Sequence, residues 1–156
     1  MTLETKTKLS PETLSIVQEL IKINVDSRDT FQELADATGN ASVAIMFREL
    51  ASERNRNVAE LESLMSINRA KADESASVAA TYHRIVIGLR SALGAGTATM
   101  LDEAETAEEK IQQKYEELLK REPGSAVSDI LHRQYGTIRA AHERVRAIRD
   151  AHRRAT

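Results

Sequence analysis

Proline and glycine are confined almost entirely to the joints between long periodic segments, and this placement limits the chain to helices. Pro11, Pro123, Gly39, Gly94, Gly96 and Gly124 bracket stretches in which apolar residues recur every three or four positions, the period of one buried helix face. Aromatic residues make up only 3% of the sequence, against a sheet-rich domain in which such side chains concentrate. The class is therefore all-α. At 156 residues one hydrophobic core suffices, so residues 10–156 read as a single helical bundle domain behind a flexible N-terminal arm, residues 1–9.

The punctuation sets the helices. Ser10 as N-cap, Pro11 at the first helical position and Glu12 in the first turn start helix one, supplying an acceptor, a preset φ and a favourable charge. Its face is Leu14, Val17, Ile21, Asn24, Phe31 and Ala35, to about Thr38. The polar centre of this helix turns Asn24, Ser27 or Arg28 toward the core. Gly39 stops it and Asn40 caps helix two, 41–68, whose stripe of Met46, Leu50, Glu53, Asn57, Leu61 and Leu64 includes a carboxylate. A charge on a buried face needs a partner. Residues 69–77 read as a connection, followed by a short helix through Val78, Tyr82, Ile85, Val86, Leu89 and Leu93, with Gly88 marking a close approach. Helix three restarts at Gly96 and Thr97, with Leu101, Ala104, Glu108, Ile111, Tyr115 and Leu118 inward, so Glu108 is a second carboxylate on an apolar stripe. Glu122-Pro123-Gly124 forms a tight turn, with the glycine free to take positive φ. Ser125 caps the last helix, where Val127, Leu131, Gln134, Ile138, His142, Val145 and Ile148 share the inner face.

Four helices of roughly 26 to 30 residues, each about 40 Å long at 1.5 Å per residue, are thus joined short, long, short. The long crossover lets helices two and three run parallel, the ferritin-like up-down arrangement. With this order in view the chain resembles the ferritin-like four-helix-bundle superfamily and, over nearly its whole length, an uncharacterised bacterial domain-of-unknown-function group within it. The resemblance lies in V-D-S-R-D-T-F-Q-E-L-A of helix one, F-R-E-L-A-S-E-R of helix two, E-E-K-I-Q-Q-K-Y of helix three and R-Q-Y-G-T-I-R-A-A-H of helix four.

In metal-binding members of that superfamily, one Glu from each of two helices and a Glu-x-x-His pair from each of the others enclose two metal ions. Carried over, the resemblance puts Glu33, Glu53, Glu108 and His142 at ligand positions. Both pairs are broken, because Arg56 stands where helix two needs histidine and Arg139 where helix four needs glutamate. Arginine is cationic at any usable pH and repels a metal. The expectation is a degenerate metal site, without cofactor, in which Arg56 or Arg139 pairs with Glu53 or Glu108. The function expected is then a non-catalytic structural or interaction module, with a stress-related role as a further implication of the resemblance. The alternative is an iron or manganese protein with oxidase or iron-storage activity at Glu53, Glu108 and His142.

Other chemistries lack their residues. Without cysteine there is no disulfide, thiolate site or cysteine nucleophile, and neither a G-x-S-x-G elbow nor a phosphate-cradling glycine loop occurs. His83, His132 and His152 lack metal-ligand spacing, and Tyr115 and Tyr135 read as core residues with one polar end. No apolar run is long enough to span a membrane and the first residues lack the apolar centre of a secretion signal, so a cytoplasmic, membrane-free protein is expected. Arginines at 133, 139, 144, 146, 149, 153 and 154 make the last helix basic. The acidic excess of helix three favours pairing within the protein over nucleic-acid binding, the third alternative. Leftover apolar stripes, the short crossover helix among them, make a homodimer or other homo-oligomer the expected state.

Overall fold

A computed structural model describes residues 4–70 and 96–155. Four helices account for almost all of them: α1, Pro11–Ala37; α2, Ala41–Ile67; α3, Thr97–Lys120; and α4, Ser125–Ala155. The short helix expected from Val78 to Leu93 lies outside the described residues, and so does His83. No strand occurs among the described residues beyond one isolated bridge, Thr5 to Lys8.

The helix ends follow capping chemistry. Ser10 Oγ accepts the Thr13 amide at 3.1 Å ahead of Pro11, and Asn40 Oδ1 accepts the Val43 amide at 3.1 Å, each satisfying an amide that the first turn leaves without a partner. At the α3–α4 turn the left-handed residue is Glu122, with φ 54°, and not Gly124 as the sequence suggested. Pro123 disfavours helical geometry in the residue before it, so the reversal falls on Glu122. Gly124 serves space instead, since a side chain there would occupy the place of the Glu4 carboxylate.

Residue pairs give the helix directions. Thr13 meets Gly124, Asn24 meets Tyr115 and Thr38 meets Thr97, so α1 and α3 are antiparallel. Glu60 meets Arg133 and Glu49 meets Arg144, so α2 and α4 are antiparallel too. With only three residues between α1 and α2, which pack along each other, α2 and α3 point the same way.

The core has two apolar halves. One gathers Leu20, Leu61, Ile111, Leu118, Leu131 and Ile138; the other gathers Phe31, Phe47, Leu50, Met100, Leu101 and Val145, with the two phenyl rings 5.8 Å apart. Burial of each such side chain stabilises by about 1.5–3 kcal/mol relative to exposure. Ile148, expected on the inner stripe, is instead 37% exposed, because α4 runs on past the last apolar layer at Val145.

Residues 4–9, expected as a loose arm, are fastened to the bundle. Leu9 is buried and its amide donates to Asn68 Oδ1 at 2.8 Å, while Asn68 Nδ2 donates to the Lys6 carbonyl at 2.7 Å. Glu4 Oε1 accepts the Ser10 amide at 2.6 Å and the Thr13 hydroxyl at 2.8 Å.

Candidate functional site

Between the two apolar halves lies a level of charged side chains built on Arg54, and the polar residues next to it sit within the first half. This arginine lies four residues after Leu50 and four before Val58, so helical geometry places it on the inner face of α2. Arg54 and Glu108 are both fully buried. Arg54 Nη2 donates to Glu108 Oε1 at 2.6 Å and to Oε2 at 2.5 Å, and Arg54 Nε donates to Ser27 Oγ at 3.1 Å. The guanidinium carbon stands 5.9 Å from the centroid of the Phe31 ring, within cation–π range. Arg54 Nη1 has no hydrogen-bond partner among the described residues; it lies 3.7 Å from a carboxylate oxygen of Glu53.

Burial alone would draw the Arg54 proton off, but attraction and hydrogen bonding from Glu108 outweigh it and hold the guanidinium above its usual pKa. Burial pushes the Glu108 carboxyl up, against the pull of Arg54. Arg54 is therefore a fixed cation, and Glu108 depends on it to remain an anion without water.

A neutral level lies beside it. Asn24 Nδ2 donates to Tyr115 Oη at 2.8 Å, the phenol donates to Gln134 Oε1 at 2.9 Å, and Gln134 Nε2 donates to Glu60 Oε1 at 2.8 Å. Asn57 Nδ2 adds a bond to Asn24 Oδ1 at 3.2 Å. This chain connects all four helices and ends on a half-exposed carboxylate. Burial pushes the Tyr115 phenol well above its usual pKa of 10.0, so it stays a neutral donor.

The residues singled out in the sequence are only partly brought together. Glu108 is buried, as its stripe indicated. Glu53 is not the buried charge of α2: its side chain is 23% exposed, at the edge of the stripe, and the inward residue is the next one. The expected partners Arg56 and Arg139 are both exposed; Arg139 lies over the Tyr135 ring, 5.8 Å from its centroid, and Arg54 takes the role assigned to them. Each points outward because it falls about 100° or more from the inner face of its helix. Glu33 is exposed on α1. His142 faces inward as read, but its Nδ1 is within 3.0 Å of Gln112 Oε1 and its Nε2 lies 3.6 Å from Glu105. Among the described residues no three His, Asp or Glu side chains converge as a metal-holding group. As arranged, both oxygens of Glu108 accept from Arg54 Nη2.

The basic face of α4 is matched by acids. Arg144 meets Glu49, Arg133 meets Glu60, Arg153 meets Asp102, and both Arg146 and Arg149 converge on Glu105. No described helix is long and apolar enough to cross a membrane.

The sequence profile of a family described as a domain of unknown function (DUF2383) matches residues 12–121, more than half of the chain. The chain belongs to the DUF2383 family. Among curated proteins no relative matches. The matched span of this DUF2383 chain contains Ser27, Arg54 and Glu108, the whole charged level, but stops before Gln134 and His142 on α4.

Proposed function

We propose that this DUF2383 chain is a non-catalytic helical bundle of the ferritin-like kind, in which a guanidinium has replaced metal ions in the core, and that it acts as a structural or interaction module. The reading is supported chiefly by one contact: Arg54 Nη2 lies within 2.6 Å of both oxygens of Glu108, with each side chain fully buried. A buried carboxylate needs a neutralising cation. A guanidinium that never deprotonates supplies it permanently, and its charge opposes a second cation at the same oxygens. The common direction of α2 and α3, together with antiparallel α1–α3 and α2–α4, supports the ferritin-like arrangement.

Metal analysis of protein purified without chelator tests this directly. The expected outcome is no stoichiometric iron or manganese and no oxygen uptake when ferrous iron is added. Stoichiometric metal that is lost in Glu108→Gln overturns the proposal.

A further inference from the structure

The seam between α2 and α4 is closed by side chains in rungs, and one stretch of it has none. Glu49 and Arg144 form one rung at 2.6 Å, and Glu60 and Arg133 form another. Between them α2 still presents charges, Glu53 and Arg56, but the facing part of α4 offers only Gly136, Thr137 and Ala140. Small residues where arginines would complete the series leave a cavity of about 300 Å³, lined by Glu53, Arg56, Asn57, Glu60, Arg133 and Thr137.

The two flanking charges are already paired with each other, and the two central ones are not. Among the described residues Arg56 makes neither an ion pair nor a hydrogen bond, and Glu53 has only the 3.7 Å approach of Arg54 Nη1. Glu53 and Arg56 stand three positions apart on one helix, where side chains are neighbours, yet they do not meet. The cavity thus exposes an anion and a cation about one turn apart, above the buried amide of Asn57.

We propose that this gap is a binding site for a small zwitterion of the α-amino-acid class, with its carboxylate on Arg56 and its ammonium on Glu53. A simple anion or cation would satisfy one side and leave the other bare, whereas a molecule with both charged groups on one carbon completes the missing rung. The volume is at the small end of ligand cavities, which suits such a ligand and excludes a nucleotide or a large cofactor.

Nuclear magnetic resonance titration with glycine, L-alanine and L-glutamine tests it, with acetate and methylammonium as single-charge probes. The amino acids are expected to move the Asn57 side-chain amide and the Thr137 backbone amide saturably. Arg56→Gln, on an exposed position that the fold does not use, is expected to weaken binding about tenfold or more, the effect of losing one charge-assisted contact. Thr137→Arg, which fills the gap from within, abolishes it. The proposal is overturned if no amino acid gives a saturable shift, if Arg56→Gln binds as well as the parent, or if acetate or methylammonium binds as tightly as the amino acids.

Discussion

At Arg54 the core holds a charged pair, and one helical turn along α2, beside Asn57, it holds a neutral chain of two asparagines, a phenol and a glutamine. Both levels are cut off from water, but they meet the cost of burial differently. In the neutral chain each donor finds an acceptor and the last link reaches Glu60 at the surface, so removal of any one group is buffered by its neighbours. The charged pair has no such exit. Several kcal/mol of desolvation per ion must be offset by a single contact and a few hydrogen bonds, and Arg54 Nη1 has no hydrogen-bond partner among the described residues. Two adjacent polar levels of one core can therefore differ sharply in fragility, and the charged one should be the more easily broken yet the more easily dispensed with.

The largest effect tests that paradox. Arg54→Leu or Glu108→Leu alone strands a buried charge and is expected to lower unfolding free energy by about 3–5 kcal/mol, measured by denaturant titration. The double variant Arg54→Leu/Glu108→Leu, which removes both charges, is expected to recover most of that loss or exceed the parent. A double variant as damaged as the two singles combined would mean that the pair stabilises this core in its own right, and the contrast with the neutral level would disappear.

On the neutral side, Tyr115→Phe removes a hydroxyl without changing the ring and leaves Asn24 and Gln134 short of one bond each. The expected loss is about 1–3 kcal/mol, smaller than either charged single variant. If it equals them, the phenol is as indispensable as the guanidinium and the two levels do not differ in kind.

The smallest effect sharpens the role of burial by adding a third carboxylate. Burial raises Glu108, whereas Glu4, little buried, is held below the usual 4.5 mainly by hydrogen bonds from Ser10. A depressed folded pKa means that stability is present above the unfolded value and is lost as pH falls through the folded one. Hydrogen-exchange protection of the Leu9 and Ser10 amides is therefore expected to fall in the range below pH 4.5, and to be reduced already at neutral pH in Glu4→Gln. Protection that survives acidification and the substitution alike would show that Leu9 and Asn68 hold the arm without the carboxylate.

Much of this architecture was legible because helix ends have local chemistry. Ser10, Pro11 and Asn40 act where their side chains predict, and the inward positions of Asn24, Ser27, Glu108, Tyr115 and His142 follow from periodicity. The buried partner of Glu108 was harder to read. Position 53 stands three after Leu50 and four before Asn57, and position 54 four after Leu50 and four before Val58, so alternating spacing admits either. A long cation is ordinarily assigned to solvent, where Lys and Arg keep their charged ends. Helical spacing permits Arg54 on the inner face, but the carboxylate that lets its charge be buried comes from the opposite helix, and a contact between residues 54 apart in sequence leaves no local trace. The docking of residues 4–9 was hidden for the same reason: Glu4 needs the room that Gly124 leaves, and sequence spacing does not report that space.

The fastening of that arm also bears on the order in which the chain assembles. The α1–α2 and α3–α4 hairpins rest on contacts between neighbouring helices and can form early, because short separations are quick to close. The arm is different: its bonds join Leu9 to Asn68 across 59 residues and Lys6 to Asn68 across 62, and the Thr13 hydroxyl that it holds reaches Gly124 across 111. The two bonds to Asn68 close within the α1–α2 hairpin, whereas the Thr13–Gly124 bond spans the longer loop and has no place to form until both hairpins have met. The amide of Leu9 thus reports on closure of the first hairpin, and that of Gly124, which donates to Thr13, on the meeting of the two.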